Sequence, residues 1–215
     1  TFGKTALNPV TIGKTNKEVT YSASEINIPV EGMFSIPESA GNATYSVTNS
    51  TGEGTFDEQT NKLTVTKCGT FTVTVNTAAT DTHAAATASA TLTVNKATVT
   101  ITAKDQSIYV GADIPTLSGT DFYTVTGLLG GDTLTTQPTL AYQQNGSAAT
   151  PVNTATGTYD IVPSGASAGD NYNITYVNGT LTIGHQITYV AEVPADCTTA
   201  GVKAHWKDES DNLYS

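Results

Sequence analysis

Apolar and hydroxyl-bearing side chains alternate along much of this chain with a period of two. In Thr70–Val75 the apolar positions are Phe71, Val73 and Val75, with Thr70, Thr72 and Thr74 between them. Leu92 and Val94 alternate with Thr91 and Thr93, and Val99 and Ile101 with Thr98, Thr100 and Thr102. The same form returns at Thr180–Ile183, where Leu181 and Ile183 are the apolar members. Successive side chains of a strand point to opposite faces, so each run predicts a strand with one face on a core and one in water. Asn178-Gly179 stands between Ile174–Val177 and Thr180–Ile183. Both residues tolerate positive φ, and the pair predicts a hairpin closed by a two-residue type I′ turn.

The pattern also echoes itself. Gly69-Thr70-Phe71 opens one strand and Thr91-Leu92-Thr93-Val94 another; Gly157-Thr158-Tyr159 and Thr180-Leu181-Thr182-Ile183 reproduce the pair at nearly the same separation. Tandem modules of about 80–90 residues explain this echo, with a joint at Asn95-Lys96-Ala97. Neither Pro nor Gly interrupts that joint, and strand pattern runs on from Thr91 to Ala103, which predicts a short, fairly stiff connection. The predicted divisions are residues 1–18, 19–96, 97–184 and 185–215. The first holds Val10-Thr11-Ile12, read as a remnant of a preceding module or the first strand of this one. The last, with Pro194, Cys197, Gly201, Trp206 and a polar stretch Lys207–Asn212, reads as a third unit cut short. The chain opens at Thr1 and is read as a piece of something longer.

Composition sharpens the fold class. Threonine occurs 42 times in 215 residues, arginine never, and charged residues are only 13%. Threonine is β-branched, which suits a pleated strand, and its hydroxyl keeps an outward face wet. The chain is therefore expected to be all-β and soluble without many lysines or glutamates. The net charge of −10 argues against nucleic acid, whose phosphates need clustered Lys or Arg, and against anionic membrane. No 18-residue apolar run marks a membrane insertion. Cys68 and Cys197 fall in different predicted modules and are not expected to bond.

These residues resemble known bacterial repeats. "NATYSVTNSTGEGTFDEQTNKLTVTKCGTFTVTV" and the closing "ATLTVNK" within Val19–Asn95 resemble the bacterial Ig-like (Big-like) repeats of large surface proteins from gut Firmicutes. Over Ala97–Ile183, "VTITAKDQSIYVGADIP", "YTVTGLLGGDTL", "GTYDIV" and "NYNITYVNGTLTI" resemble the MBG-type repeat. The final "VPADCTTAGVKAHWKDESDNLYS" is similar to a short C-terminal repeat of such proteins, but Lys207–Asp211 stands where that repeat has Cys-x-x-Cys, which removes its metal ligands. The resemblance implies an Ig-like β-sandwich followed by an MBG-type domain of related or β-grasp-like form. It also implies an extracellular protein on a bacterial, Gram-positive cell wall.

Catalytic patterns are weak. Gly165-Ala166-Ser167-Ala168-Gly169 matches G-x-S-x-G, but the nucleophile elbow needs a helix after the serine, and Asn171–Val177 reads as a strand. His185, Cys197 and His205 are zinc-ligand types without the close pairs of a zinc site. Asp113, Asp121, Asp132, Asp160 and Asp170 lack a D-x-D-x-D-G calcium loop. Lys62 and Lys96 are the lysines near strands where an isopeptide bond to Asn would have to start. Trp206, Tyr189 and Tyr214 are the candidate binding residues, as a sugar-stacking platform or as anchors of the last segment. The expectation is a monomeric, non-catalytic stalk or adhesin segment without cofactor, whose partner is a surface protein or glycan. The alternatives are a glycan-binding module and an accessory domain of an extracellular hydrolase.

Overall fold

The computed structural model describes residues 6–22, 27–195, 198–208 and 212–214. In chain order its first strands are β1 (Gly13–Lys14), β2 (Lys17–Thr20), β3 (Asn27–Pro29), β4 (Phe34–Ser35), β5 (Ala43–Asn49), β6 (Glu53–Asp57), β7 (Lys62–Lys67), β8 (Gly69–Thr77) and β9 (Ala86–Asn95). There follow β10 (Ala97–Ala103), β11 (Gln106–Tyr109), β12 (Tyr123–Thr126), β13 (Thr139–Gln144), β14 (Ser147–Ala148), β15 (Gly157–Ser164), β16 (Tyr172–Val177) and β17 (Gly179–Gly184). The last are β18 (Thr188–Val190), β19 (His205–Lys207) and β20 (Leu213–Tyr214). Two short 3₁₀ turns are the only helical elements among the described residues, so the fold is all-β.

The chain packs as two compact units, neither of them one continuous stretch. The first takes Thr1–Val99 with Gly127–Thr135 and Ser167–Ile174; the second takes Thr100–Thr126, Thr136–Ala166 and Thr175–Ser215. In the first unit, one sheet runs β2-β9-β8-β5 and another β3-β7-β6. Phe71, Val73, Leu92 and Val94 from the one meet Ile28, Leu63 and Val65 from the other in a shared core. Phe71, Val73, Leu92 and Val94 are inward positions that the alternation predicts, and all seven residues are 2% exposed or less. Residues 8–20 join this unit: Asn8 bridges His83, Gly13 pairs with Ser35, and Asn16 Oδ1 accepts the Thr91 N–H at 2.9 Å. Val10-Thr11-Ile12 itself forms no strand.

The second unit has a sheet in the order β11-β17-β15-β13-β14. Its core gathers Ala103 of β10 with Ile161, Leu181 and Ile183 of that sheet. Strands β12, β10 and β16 form a further sheet in that order, and the division between the units falls inside β10 and inside β16. With sheets on both sides and no α-helix among the described residues, this unit takes the sandwich form rather than the β-grasp-like one.

The sequence echo is an echo of register. Gly69, Thr70 and Phe71 lie opposite Val94, Thr93 and Leu92; Gly157, Thr158 and Tyr159 lie opposite Ile183, Thr182 and Leu181. Each closing strand also takes a parallel partner from the start of its repeat, Val19 beside Val94 and Ile108 beside Ile183. On the wet faces hydroxyls meet across strands, as Thr74 and Ser89 do at 2.9 Å and Thr100 and Thr175 at 3.0 Å. Such cross-strand pairs contribute roughly 0.2–1 kcal/mol each.

The predicted hairpin at Asn178-Gly179 is not there. Strands β16 and β17 belong to different sheets, and neither Asn178 nor Gly179 has positive φ. The same dipeptide does make the two-residue turn elsewhere: Asn145 (φ 52°) and Gly146 (φ 76°) join β13 to β14, which pair at Gln144 and Ser147. Gly179 is instead a point of close approach, since a Cβ there would lie 2.7 Å from the Ala103 carbonyl oxygen. Asp105 Oδ1 accepts the next N–H, that of Thr180, at 2.8 Å. Gly179→Ala is therefore expected to destabilise the chain by about 1–3 kcal/mol, whereas Asn178→Ala should stay within about 0.5 kcal/mol. Urea unfolding followed by far-UV circular dichroism distinguishes this from a turn, in which losing Asn178 would be costly.

Candidate functional site

The three predicted binding residues lie on the terminal sheet, β18-β19-β20. Thr188-Tyr189-Val190 supplies β-branched and aromatic residues suited to a strand. Antiparallel pairing sets Tyr189 opposite Trp206, and Trp206 opposite Tyr214 on the next strand. The rings of Tyr189 and Trp206 have centroids 5.1 Å apart and are tilted by 57°, within the range of favourable aromatic pairs. They are 53% and 47% exposed, so the pair presents ring surface to solvent. The side chain of Tyr214 lies outside the described residues.

Asp208, just after β19, is hydrogen-bonded to Asn212, just before β20. Its buried carboxylate accepts the backbone N–H of Asn212 at 2.8 Å and the Asn212 Nδ2–H at 2.9 Å. The Asp208 N–H donates to the Asn212 carbonyl, and His185 Nδ1 stands 3.7 Å from Asp208 Oδ2. These contacts brace β19 beside β20, where Trp206 pairs with Tyr214; in the polar stretch Lys207–Asn212 the sequence trace of them is an Asp four residues before an Asn. His205 Nδ1 lies 2.7 Å from the Lys203 carbonyl oxygen, away from the contact that His185 makes with Asp208. Cys197, the third zinc-type residue, lies outside the described residues. Ile187, Val193, Val202 and Leu213, between 42% and 71% exposed, complete an apolar surface on this segment.

A second cluster in the first unit was not foreseen. Asn171 Oδ1 accepts the Cys68 N–H at 2.8 Å, its Nδ2 donates to the Thr66 carbonyl at 3.0 Å, and its carbonyl accepts the Ala97 N–H at 3.0 Å. The neighbours of Asn171 are engaged too. Asp170 and Glu53 each stand 3.5 Å from Lys67 Nζ, and they raise the lysine pKa above its ordinary value, Glu53 the more. The Tyr172 ring meets Tyr21 edge to face at 6.2 Å. Its hydroxyl donates to Asp132 Oδ2 at 2.5 Å and accepts the Leu129 N–H at 3.2 Å. Burial, and then the Asp132 hydrogen bond, push the Tyr172 phenol above its usual pKa. Cys68 is a free thiol with little exposure, and burial raises its pKa as well.

Gly165–Gly169 is a loop from β15 to β16, with φ of 74° and 87° at its two glycines. Ser167 Oγ accepts the Gly169 N–H at 3.3 Å, and its carbonyl accepts the Thr135 N–H. Lys62 and Lys96 are exposed. Among the described residues no three His, Cys, Asp or Glu side chains come together as metal ligands, and no helix is long and apolar enough to cross a membrane.

Comparison with known proteins bears on the second repeat. Residues 99–182 match the MBG domain (YGX type) family. No curated protein sequence matches the chain. Among solved structures, Drosophila N-cadherin EC1-4 overlaps at a TM-score of 0.30 and 8% identity, over 95% of this chain and 58% of that one. The chain thus spans just over half of that cadherin. Human protocadherin-24 EC1-2 overlaps at 0.27 and 12% identity, over 82% and 98%. Chimeric titin Z1Z2 overlaps at 0.24 and 12% identity, over 84% and 100%.

The MBG-type stretch contains both segments, 127–135 and 167–174, that pack as part of the first unit. The aromatic pair lies beyond it. Trp206 is the sole tryptophan, so its fluorescence reports on the terminal sheet alone. Tyr189→Ala is expected to lower the midpoint of the Trp206 transition by removing about 0.5–1.5 kcal/mol, with the far-UV transition of the MBG-type stretch unchanged. The phenol of Tyr172 gives a pH test. Its folded pKa lies above the unfolded value of about 10, so its stabilisation is complete below that pH and is lost as pH rises through the folded value. Thermal unfolding should show a smaller stability loss from pH 8 to pH 11 in Tyr172→Phe than in wild type. Tyr45 and Tyr142, also raised by burial, sustain the remainder.

Proposed function

We propose that this chain is a non-catalytic structural and adhesive segment, a stalk, of a bacterial cell-surface protein, extracellular and carried on a Gram-positive cell wall. One observation carries the reading: twice in series a closing strand takes an antiparallel partner in the same register and a parallel partner from early in its repeat, each time beside its own core. Serial β units give reach, and their hydroxyl-covered faces keep that reach soluble with few charges. The match of residues 99–182 to the MBG family supports a surface-associated β module. A net charge of −10 is compatible with partners other than nucleic acid, and the segment is read as a monomer without cofactor.

A second reading, glycan binding, is favoured by the half-exposed Tyr189–Trp206 pair. The two readings separate cleanly. Antibodies raised against the chain should label intact, unpermeabilised cells of the source organism, and labelling only after permeabilisation rejects a surface stalk. On a glycan array the stalk reading expects no binding by this chain. Clear binding that disappears in Trp206→Ala hands the function to the terminal sheet.

A further inference from the structure

The segment around Asn171 belongs in sequence to the second repeat but completes the first unit. We infer that residues 167–174 act as a strap, and that the Asn171 side chain is its latch, closing the first unit over Cys68. The latch is specific in chemistry. Asn171 offers its carbonyl oxygen to a backbone N–H at residue 68 and its amide to a backbone carbonyl at residue 66, so one planar side chain satisfies the end of β7 and the residue after it. Only an amide of this length both donates and accepts there. The strap is held on either side as well, by Asp170 on Lys67 and by Tyr172 against Tyr21 and Asp132.

What lies under the strap makes the device readable. Cys68 is 7% exposed, and its sulfur sits 3.7 Å from the Asn95 carbonyl oxygen and 4.0 Å from that of Asn171. The adjoining hollow of about 410 Å³ is lined by Gly69, Thr70, Asn95, Lys96 and Asn173 beside the cysteine. Cys68 borders that hollow with only 7% of its surface exposed, so a reagent there reaches the thiol more readily once the strap lifts. Lifting needs the Asn171 bonds broken but leaves the cores around Phe71 and Leu181 intact. The second repeat thereby controls access to the end of the first, a coupling between repeats that neither core requires.

The test is native-state alkylation of Cys68 in the full chain, with Cys197→Ser so that one thiol reports. Loss of two hydrogen bonds should raise the opening equilibrium of Asn171→Ala, and with it the labelling rate, by roughly 10-fold to 100-fold. Asn173→Ala, at an exposed neighbour lining the same hollow, should label at the wild-type rate. The far-UV unfolding transition read in parallel should show every variant folded under labelling conditions. A wild-type rate in Asn171→Ala, or an equal rise in Asn173→Ala, overturns the latch. If Asn171→Ala does not fold, Asn171→Asp decides, because it keeps the acceptor and loses the donor to Thr66. Faster labelling of that folded variant supports the latch, and an unchanged rate overturns it.

Discussion

In both repeats the closing strand lies between two partners: β9 has β2 on one side and β8 on the other, and β17 has β11 and β15. The β8 and β15 pairings are antiparallel; the β2 and β11 pairings are parallel and bring a strand from early in each repeat beside its closing strand. A parallel pair cannot form through a tight turn, so everything between the paired strands must cross over before it closes. The crossing chain supplies the opposite sheet, and the apolar residues of β9 and β17 then have a second layer to meet. Long-range closure of this kind is slow to reach. It also ties a strand from early in each repeat to the repeat's closing strand.

Threonine is the material that makes the scheme soluble. Phe71, Val73 and Val75 of β8, Ala90, Leu92 and Val94 of β9, and Leu181 and Ile183 of β17 are buried at 0–5% exposure, and between them hydroxyls such as those of Thr74 and Ser89 bond across the sheet. Thr77 shows the exception that proves useful. It is buried at the end of β8, where its hydroxyl accepts the Ala86 N–H and lies 3.4 Å from the Ala86 carbonyl, so the β8–β9 ladder is sealed at its open end. Among the described residues no buried side-chain nitrogen or oxygen lacks a partner.

The strands and their inward residues were legible because a period of two admits one arrangement of Phe71, Val73, Leu92 and Leu181. The repeat was legible because its register is carried by local triplets. The turn at Asn178-Gly179 was misread because glycine answers two needs, positive φ and absence of a Cβ, and sequence alone does not say which. The second need decided at Gly179 and the first at Gly146. Tyr189, Trp206 and Tyr214 could be picked as aromatics, and strand register then placed them in one row across three neighbouring strands. Asn171 could not be picked. Its partners at Thr66, Cys68 and Ala97 are remote in the chain and are backbone groups, which leave no trace in residue identity.

The parallel pairing of Lys17–Thr20 with β9 fixes how the first unit meets mechanical load. Tension applied ahead of β2 and beyond β9 draws the two strands lengthwise past each other. Their hydrogen bonds are then strained in shear, all at once, whereas an antiparallel hairpin pulled at its open end peels one rung at a time. The Tyr21 N–H, donating to the Asn95 carbonyl at 2.7 Å, adds a rung at the end of that pair. A chain built this way yields abruptly under axial tension and stretches little before it does.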